Sequence, residues 1–171
     1  KVTAEGDTAL LDQLEIRKDG DTLRIGRKDD NWKWGGDKGA RIIVTLPKLL
    51  SASVAGSGDM TVDRADGNFD ASIAGSGNLS IAQFAGGKAD LSIAGSGDLR
   101  IAAGQASEID ASIAGSGDID AAGLKAARGD ISIAGSGNVR AQVTGEADIS
   151  ILGSGDVVLT GGAKCSVSAM G

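Results

Sequence analysis

The chain has 171 residues, a net charge of −6, 2% aromatic residues and no histidine, while glycine fills 28 positions. Without histidine, no Ser-His or Cys-His nucleophile can be built, and the negative balance repels nucleic acid. The single cysteine, Cys165, excludes an internal disulfide, and no apolar run approaches the roughly eighteen residues of a membrane-spanning helix.

Residues 1–50 read as ordinary strands. Leu10-Leu11 and the alternating run Leu14-Glu15-Ile16-Arg17 come first. Leu23-Arg24-Ile25 follows the turn Asp19-Gly20-Asp21, and Ile42-Ile43-Val44-Thr45-Leu46 ends at Pro47. These segments are expected to supply irregular first coils and a cap for the core that follows. Between them, Asp29–Gly39 is a polar insertion carrying Trp32 and Trp34. These two tryptophans either stack on a sugar or partner, or fold back over the core. Arg24, Arg27 and Lys28 make too small a basic cluster, beside Asp29 and Asp30, to bind a polyanion.

From residue 51 to 160 one unit recurs six times. Each copy has a Gly-Ser-Gly corner, whose first glycines are Gly56, Gly75, Gly95, Gly115, Gly135 and Gly153 and whose second glycines are Gly58, Gly77, Gly97, Gly117, Gly137 and Gly155. The spacing of about twenty residues is a repeat, and repeats of this size are stacked copies of one structural unit. Around each corner the apolar residues alternate, as in Leu91 and Ile93 before Gly95 and Leu99 and Ile101 after Gly97, which is strand periodicity. Both glycines of a pair are expected to supply the positive-φ geometry of a tight corner.

Hairpins or an advancing coil are both compatible with short strands and glycine turns. Only a coil places position n of one unit over position n of the next, about 4.8 Å away, so that the same residue type recurs in columns. The columns exist: Val54, Ile73, Ile93, Ile113, Ile133 and Ile151 form one, and Met60, Leu79, Leu99, Ile119, Val139 and Val157 another. A third, Ala52, Ala71, Leu91, Ala111, Ile131 and Ile149, narrows at each alanine. The expected fold is therefore an all-β, right-handed parallel β-helix in a single domain, with handedness taken from the preference of parallel crossovers. Residues 161–171 match the start of a further rung, with Gly171 falling where the next corner is due.

The outward columns hold the candidate chemistry. Asp70, Asp90, Asp110, Asp130 and Asp148 form a carboxylate row that is the candidate contact for a ligand or partner. Asp59, Asn78, Asp98, Asp118, Asn138 and Asp156 form a second row, and Ser53, Ser72, Ser92, Ser112, Ser132 and Ser150 run between them. Asp/Asn interchange suits side chains that accept from backbone amides at corners. Rows of oxygen ligands also suit divalent cations such as calcium, and paired carboxylates suit glycoside hydrolysis. Catalysis, however, requires one irregular place that drives two pKa values apart, and six equivalent rungs offer six similar places.

The serial SIAGSGD/N corners, the lead-in Gly20-Asp21-Thr22-Leu23-Arg24-Ile25 and the segment Val44-Thr45-Leu46-Pro47-Lys48-Leu49 together resemble the head GIN domain family, whose members are described as auto-transporter adhesins. The resemblance covers nearly the whole chain. It implies a right-handed β-helix in exported bacterial proteins of the periplasm or cell surface, with an export signal expected ahead of Lys1. The expected function is a non-enzymatic structural or adhesion module of the envelope that needs no cofactor and contacts an envelope component or glycan. The alternatives are a polysaccharide-binding or polysaccharide-degrading β-helix and a cation-binding solenoid.

Overall fold

The computed structural model describes residues 1–28 and 40–171, so Trp32 and Trp34 lie outside the described residues. The chain divides into two compact units, Lys1–Pro47 and Lys48–Gly171.

The first unit differs from the coils expected of residues 1–50. It holds β1 (Val2–Glu5), a single helical turn α1 (Thr8–Leu11), β2 (Leu14–Asp19), β3 (Thr22–Arg27) and β4 (Arg41–Val44). β1 pairs antiparallel with β4, and β2 pairs antiparallel with β3. The reason is local. Asp19 pairs with Thr22, leaving Gly20-Asp21 as a two-residue hairpin loop, and Gly20 takes φ 58°. A hairpin closed by such a turn satisfies its backbone groups against its own neighbour, which leaves no parallel rung to start.

The second unit is a parallel β-solenoid. Its strands are β5 (Ser51–Gly56), β6 (Met60–Asp66), β7 (Phe69–Gly75), β8 (Leu79–Gly95), β9 (Leu99–Gly115), β10 (Ile119–Gly135), β11 (Val139–Gly153), β12 (Val157–Thr160) and β13 (Lys164–Met170). The sheet runs β5-β7-β8-β9-β10-β11-β12, with β6 on β8 and β13 on β11, and every pairing is parallel. The predicted columns are in register: Val54 pairs with Ile73, Ile73 with Ile93, Ile93 with Ile113, Ile113 with Ile133 and Ile133 with Ile151. β8, β9 and β10 each run for 17 residues, so most of the return path of each rung is also paired strand, with register shifts between β10 and β11 near Ala121–Lys125 and Ala126–Arg128.

The two glycines of a corner have different reasons to be glycine, which corrects the expectation that both supply a positive φ. Only the first does so, as at Gly115 (φ 137°), where a side chain is strained. The second glycines, Gly58, Gly77, Gly97, Gly117, Gly137 and Gly155, do not take positive φ. From Gly77 onward they are required by close approach to the rung beneath. A Cβ on Gly97 would collide with the Gly77 carbonyl oxygen and lie 2.8 Å from Ile73 Cγ2. In the same way, a Cβ on Gly117 would strike the Gly97 carbonyl, one on Gly137 the Gly117 carbonyl and one on Gly155 the Gly137 carbonyl. The corners are stitched vertically as well. Ser96 N–H and Gly97 N–H both donate to the Gly75 carbonyl, at 2.9 and 3.2 Å.

The core is aliphatic apart from Phe69 and Phe84, and no polar or charged residue among those described is buried. Burying one isoleucine of the Ile113 column stabilises by about 1.5–3 kcal/mol. Two neighbouring inward columns explain the narrowing at alanine. Phe69, Ala89, Ile109 and Gly129 stack in one, while Ala71, Leu91, Ala111 and Ile131 stack in the other. Across these four rungs each level pairs one large residue with one small and the order reverses at each step, whereas Ala147 and Ile149 keep the order of Gly129 and Ile131. Large side chains lie over small ones, which fills the space at the density interiors require.

Candidate functional site: the outward columns

In the stretch before each corner alternate residues point outward, so the register that builds the core also aligns the exterior. Asp70 pairs with Asp90, Asp90 with Asp110, Asp110 with Asp130 and Asp130 with Asp148. The serines of the neighbouring outward column pair in the same order from Ser53 to Ser150. The candidate contact residues Asp70, Asp90, Asp110, Asp130 and Asp148 therefore stand in a single row. Asp70, Asp130 and Asp148 are exposed, and Asp90 and Asp110 are half-buried.

That row is electrostatically uneven. Lys88, two residues before Asp90, reaches to the next rung, with its Nζ 2.9 Å from Asp110 Oδ2 and 3.3 Å from Glu108 Oε1. Hydrogen bonds to Asp110 and Glu108 push the Lys88 ammonium pKa up to about 12. Asp90 has its carboxyl pKa raised, first by partial desolvation and then by the charges of Asp110 and Asp70, against an opposing pull from Lys88.

The second row has a structural occupation. Asn78 N–H donates to Asp59 Oδ1 (3.2 Å), Asp98 N–H to Asn78 Oδ1 (3.1 Å), Asp118 N–H to Asp98 Oδ1 (3.2 Å), Asn138 N–H to Asp118 Oδ1 (2.9 Å) and Asp156 N–H to Asn138 Oδ1 (3.2 Å). Each side chain accepts from the amide of its own counterpart one rung on. Only an oxygen at that position is needed, which is why Asp and Asn alternate freely there. Asn78 and Asn138 also donate through Nδ2 to the Asp below, each at 2.9 Å. Among the described residues, no three His, Cys, Asp or Glu side chains converge in a way that holds a metal ion.

Two outward features escape a reading of the corners alone. One is a column on the return strands, Lys88, Glu108, Arg128, Glu146 and Lys164, each paired with the next and alternating in sign. Counting seven residues back from the first glycine of each corner finds it in the sequence. The other is an open trough of about 590 Å³ whose lining includes Arg64, Gln83, Gly86, Gly104, Gln105 and Ser107. Arg64 is held at its edge by Asp66, both carboxylate oxygens lying 2.9 Å from Nε. Cys165 is an exposed free thiol.

A parallel solenoid with in-register polar rows defines a repeat-built β-solenoid protein. The sequence places it further: the chain belongs to the head GIN domain family, described as "Putative auto-transporter adhesin", which it matches over residues 1–163. Similar folds occur in crystal structures of a "Putative lipid binding protein" from Parabacteroides distasonis (24% identity, TM-score 0.76, covering 99% of this chain and 80% of that one) and of a "putative adhesin" from Bacteroides fragilis (22% identity, TM-score 0.74, covering 99% and 82%). A further "putative adhesin" from Parabacteroides distasonis is 23% identical with a TM-score of 0.51. No curated protein matches the sequence.

Proposed function

We propose that this protein is a non-enzymatic adhesion or structural module, exported to the bacterial periplasm or cell surface, where it contacts a repetitive envelope component or glycan. The observation that carries this reading is the in-register array on the outside of the solenoid. One aspartate and one serine per rung, repeated at about 4.8 Å, give a surface whose periodicity can be matched by a polymer and by few compact ligands. Membership of an adhesin-described family supports the same direction. The repetition also disfavours catalysis on physical grounds, since outside the neighbourhood of Lys88 the rungs set their carboxylates in similar places.

Trp32 and Trp34 remain candidate contacts from the sequence, because two aromatic rings in a polar segment offer stacking area for sugars. The test is a binding screen of the protein against immobilised glycans, purified envelope fractions and lipid vesicles. Binding to a repetitive polymer is the expected result, weakened when Asp70, Asp130 and Asp148 are changed together to asparagine. Release of reducing sugar or unsaturated product from any polysaccharide overturns the non-enzymatic reading.

A further inference from the structure

Near-identical repeats create a folding problem. The serine, corner-glycine and isoleucine columns present much the same residue at every level, so they stabilise a rung docked on its proper neighbour and a rung docked one level too far almost equally. A chain that skips a level loops out about twenty residues, and the entropic cost of so short a loop is modest. Something that varies from rung to rung must separate the two registers.

The outward charges vary in the required way. Lys88 faces Glu108, Glu108 faces Arg128, Arg128 faces Glu146 and Glu146 faces Lys164. A second outward column repeats the device: Arg100 faces Asp120, which faces Arg140. Both columns alternate with a period of two rungs. A slip of one rung therefore places Lys88 over Arg128, Glu108 over Glu146, Arg128 over Lys164 and Arg100 over Arg140. Each of these four contacts sets like charge on like, while Asp120 exchanges Arg140 for the uncharged Val158, and like charges directly across a ladder are destabilising. The Asp70–Asp148 row has no such power, since it sets aspartate on aspartate in either register.

We infer that these two alternating charge columns act as a register key, selecting against docking of a rung onto the wrong level during folding. From Phe69 to Ile131 the core alternates in volume with the same period, so the contribution of the charges is isolated by comparing charge variants on an unchanged core.

A disulfide reporter reads the register directly. With Cys165→Ser removing the native thiol, Ser92→Cys and Ser132→Cys lie two levels apart in the native register. That is about 9.6 Å, twice the strand spacing and beyond the roughly 7 Å limit for a disulfide. A one-rung slip brings them to adjacent levels. The full chain is refolded from denaturant under mild oxidation, and the intramolecular cross-link is quantified on denaturing gels, so soluble and aggregated material both count. Ser92→Cys with Ser112→Cys serves as the native-register control.

Three charge patterns are compared: the native one, one with both columns neutralised to glutamine, and one with every sign inverted. The expected result is little slipped cross-link in the native and inverted forms and roughly five-fold more in the neutral form. The inverted pattern keeps the alternation while changing every residue, so it separates a register key from the particular side chains. Neutral columns that cross-link no more than the native ones, or inverted columns that cross-link as much as the neutral ones, overturn the proposal.

Discussion

Lys88 on one rung holds two carboxylates of the next, Asp110 at 2.9 Å and Glu108 at 3.3 Å. The ammonium owes its raised pKa, about 12, to those two partners. A base whose folded-state pKa lies above its ordinary value adds stability that is complete below the ordinary value and is lost as pH rises through the raised one. Lys88→Met is therefore expected to lower the melting temperature at neutral pH. The difference from the parent is expected to shrink in about 1 M salt, where exposed pairs are screened. Thermal melts at two salt concentrations check both.

Asp90 gives a slope of the same sign in a far more acidic window. Its folded-state pKa is raised by desolvation and by Asp110 and Asp70, so in the window just above the ordinary carboxylate value the folded chain holds more proton than the unfolded one. Its contribution to stability thus declines as pH rises through that window. Asp90→Asn is expected to raise the melting temperature at pH 7 and to change it little once the pH falls below the ordinary carboxylate value.

The stacked corner makes a steric prediction with an internal control. Gly97→Ala drives a methyl into the Gly77 carbonyl and Ile73, whereas a Cβ on Gly58 meets nothing within 4 Å. Neither position needs a positive φ, so the two substitutions differ in the rung beneath and not in backbone strain. Gly97→Ala is expected to cost about 2–3 kcal/mol and Gly58→Ala to stay within about 0.5 kcal/mol, measured by denaturant unfolding.

In the corner ladder only the acceptor oxygen matters. Asp98→Asn keeps an Oδ1 for the Asp118 N–H and is expected to be near neutral. Asp98→Ala removes it and is expected to cost about 0.5–1.5 kcal/mol. Equal losses from the two variants would show that charge, not acceptance, is what the position supplies.

Packing order in the core is testable at fixed composition. Exchanging Ile109→Ala with Ala111→Ile leaves the rung's volume unchanged but sets the new isoleucine between Leu91 and Ile131 and the new alanine between Ala89 and Gly129. Overpacking on one side and a cavity on the other are expected to cost at least about 2 kcal/mol.

The solenoid could be read from the sequence because its structure is a translation. Once Gly75, Gly95, Gly115 and Gly135 are aligned, each column follows by counting, and Ile73, Ile93, Ile113 and Ile133 are in contact for the same reason that they align. What counting cannot separate is why a glycine recurs: Gly115 and Gly117 look alike in the repeat, yet one answers to its own backbone and the other to the carbonyl of Gly97 beneath it. The hairpins of residues 1–47 lack the redundancy of the rungs. The turn at Gly20-Asp21 was visible, but antiparallel pairing of Val2 with Val44 spans a long stretch of chain and leaves no repeating mark. The return strands were harder for a different reason. Gly86, Ala106 and Ala126 stack in register, yet small residues carry no alternation of hydrophobicity, so their order is set by the corners that flank them. The role of the second acidic row in accepting backbone amides was legible from Asp/Asn interchange. The bridging of Lys88 to Asp110 was not, because it depends on a side chain reaching between levels.

Hydrogen bonds between rungs run along the solenoid's long direction, which determines how it responds to force. Tension applied at one end passes through every level, and the end level, paired on one side only, is the first to peel away. Extension then proceeds in steps, each releasing about twenty residues, or roughly 70 Å of contour. The remaining levels stay folded, so a solenoid of this kind lengthens gradually under strain and can shorten again as levels re-dock.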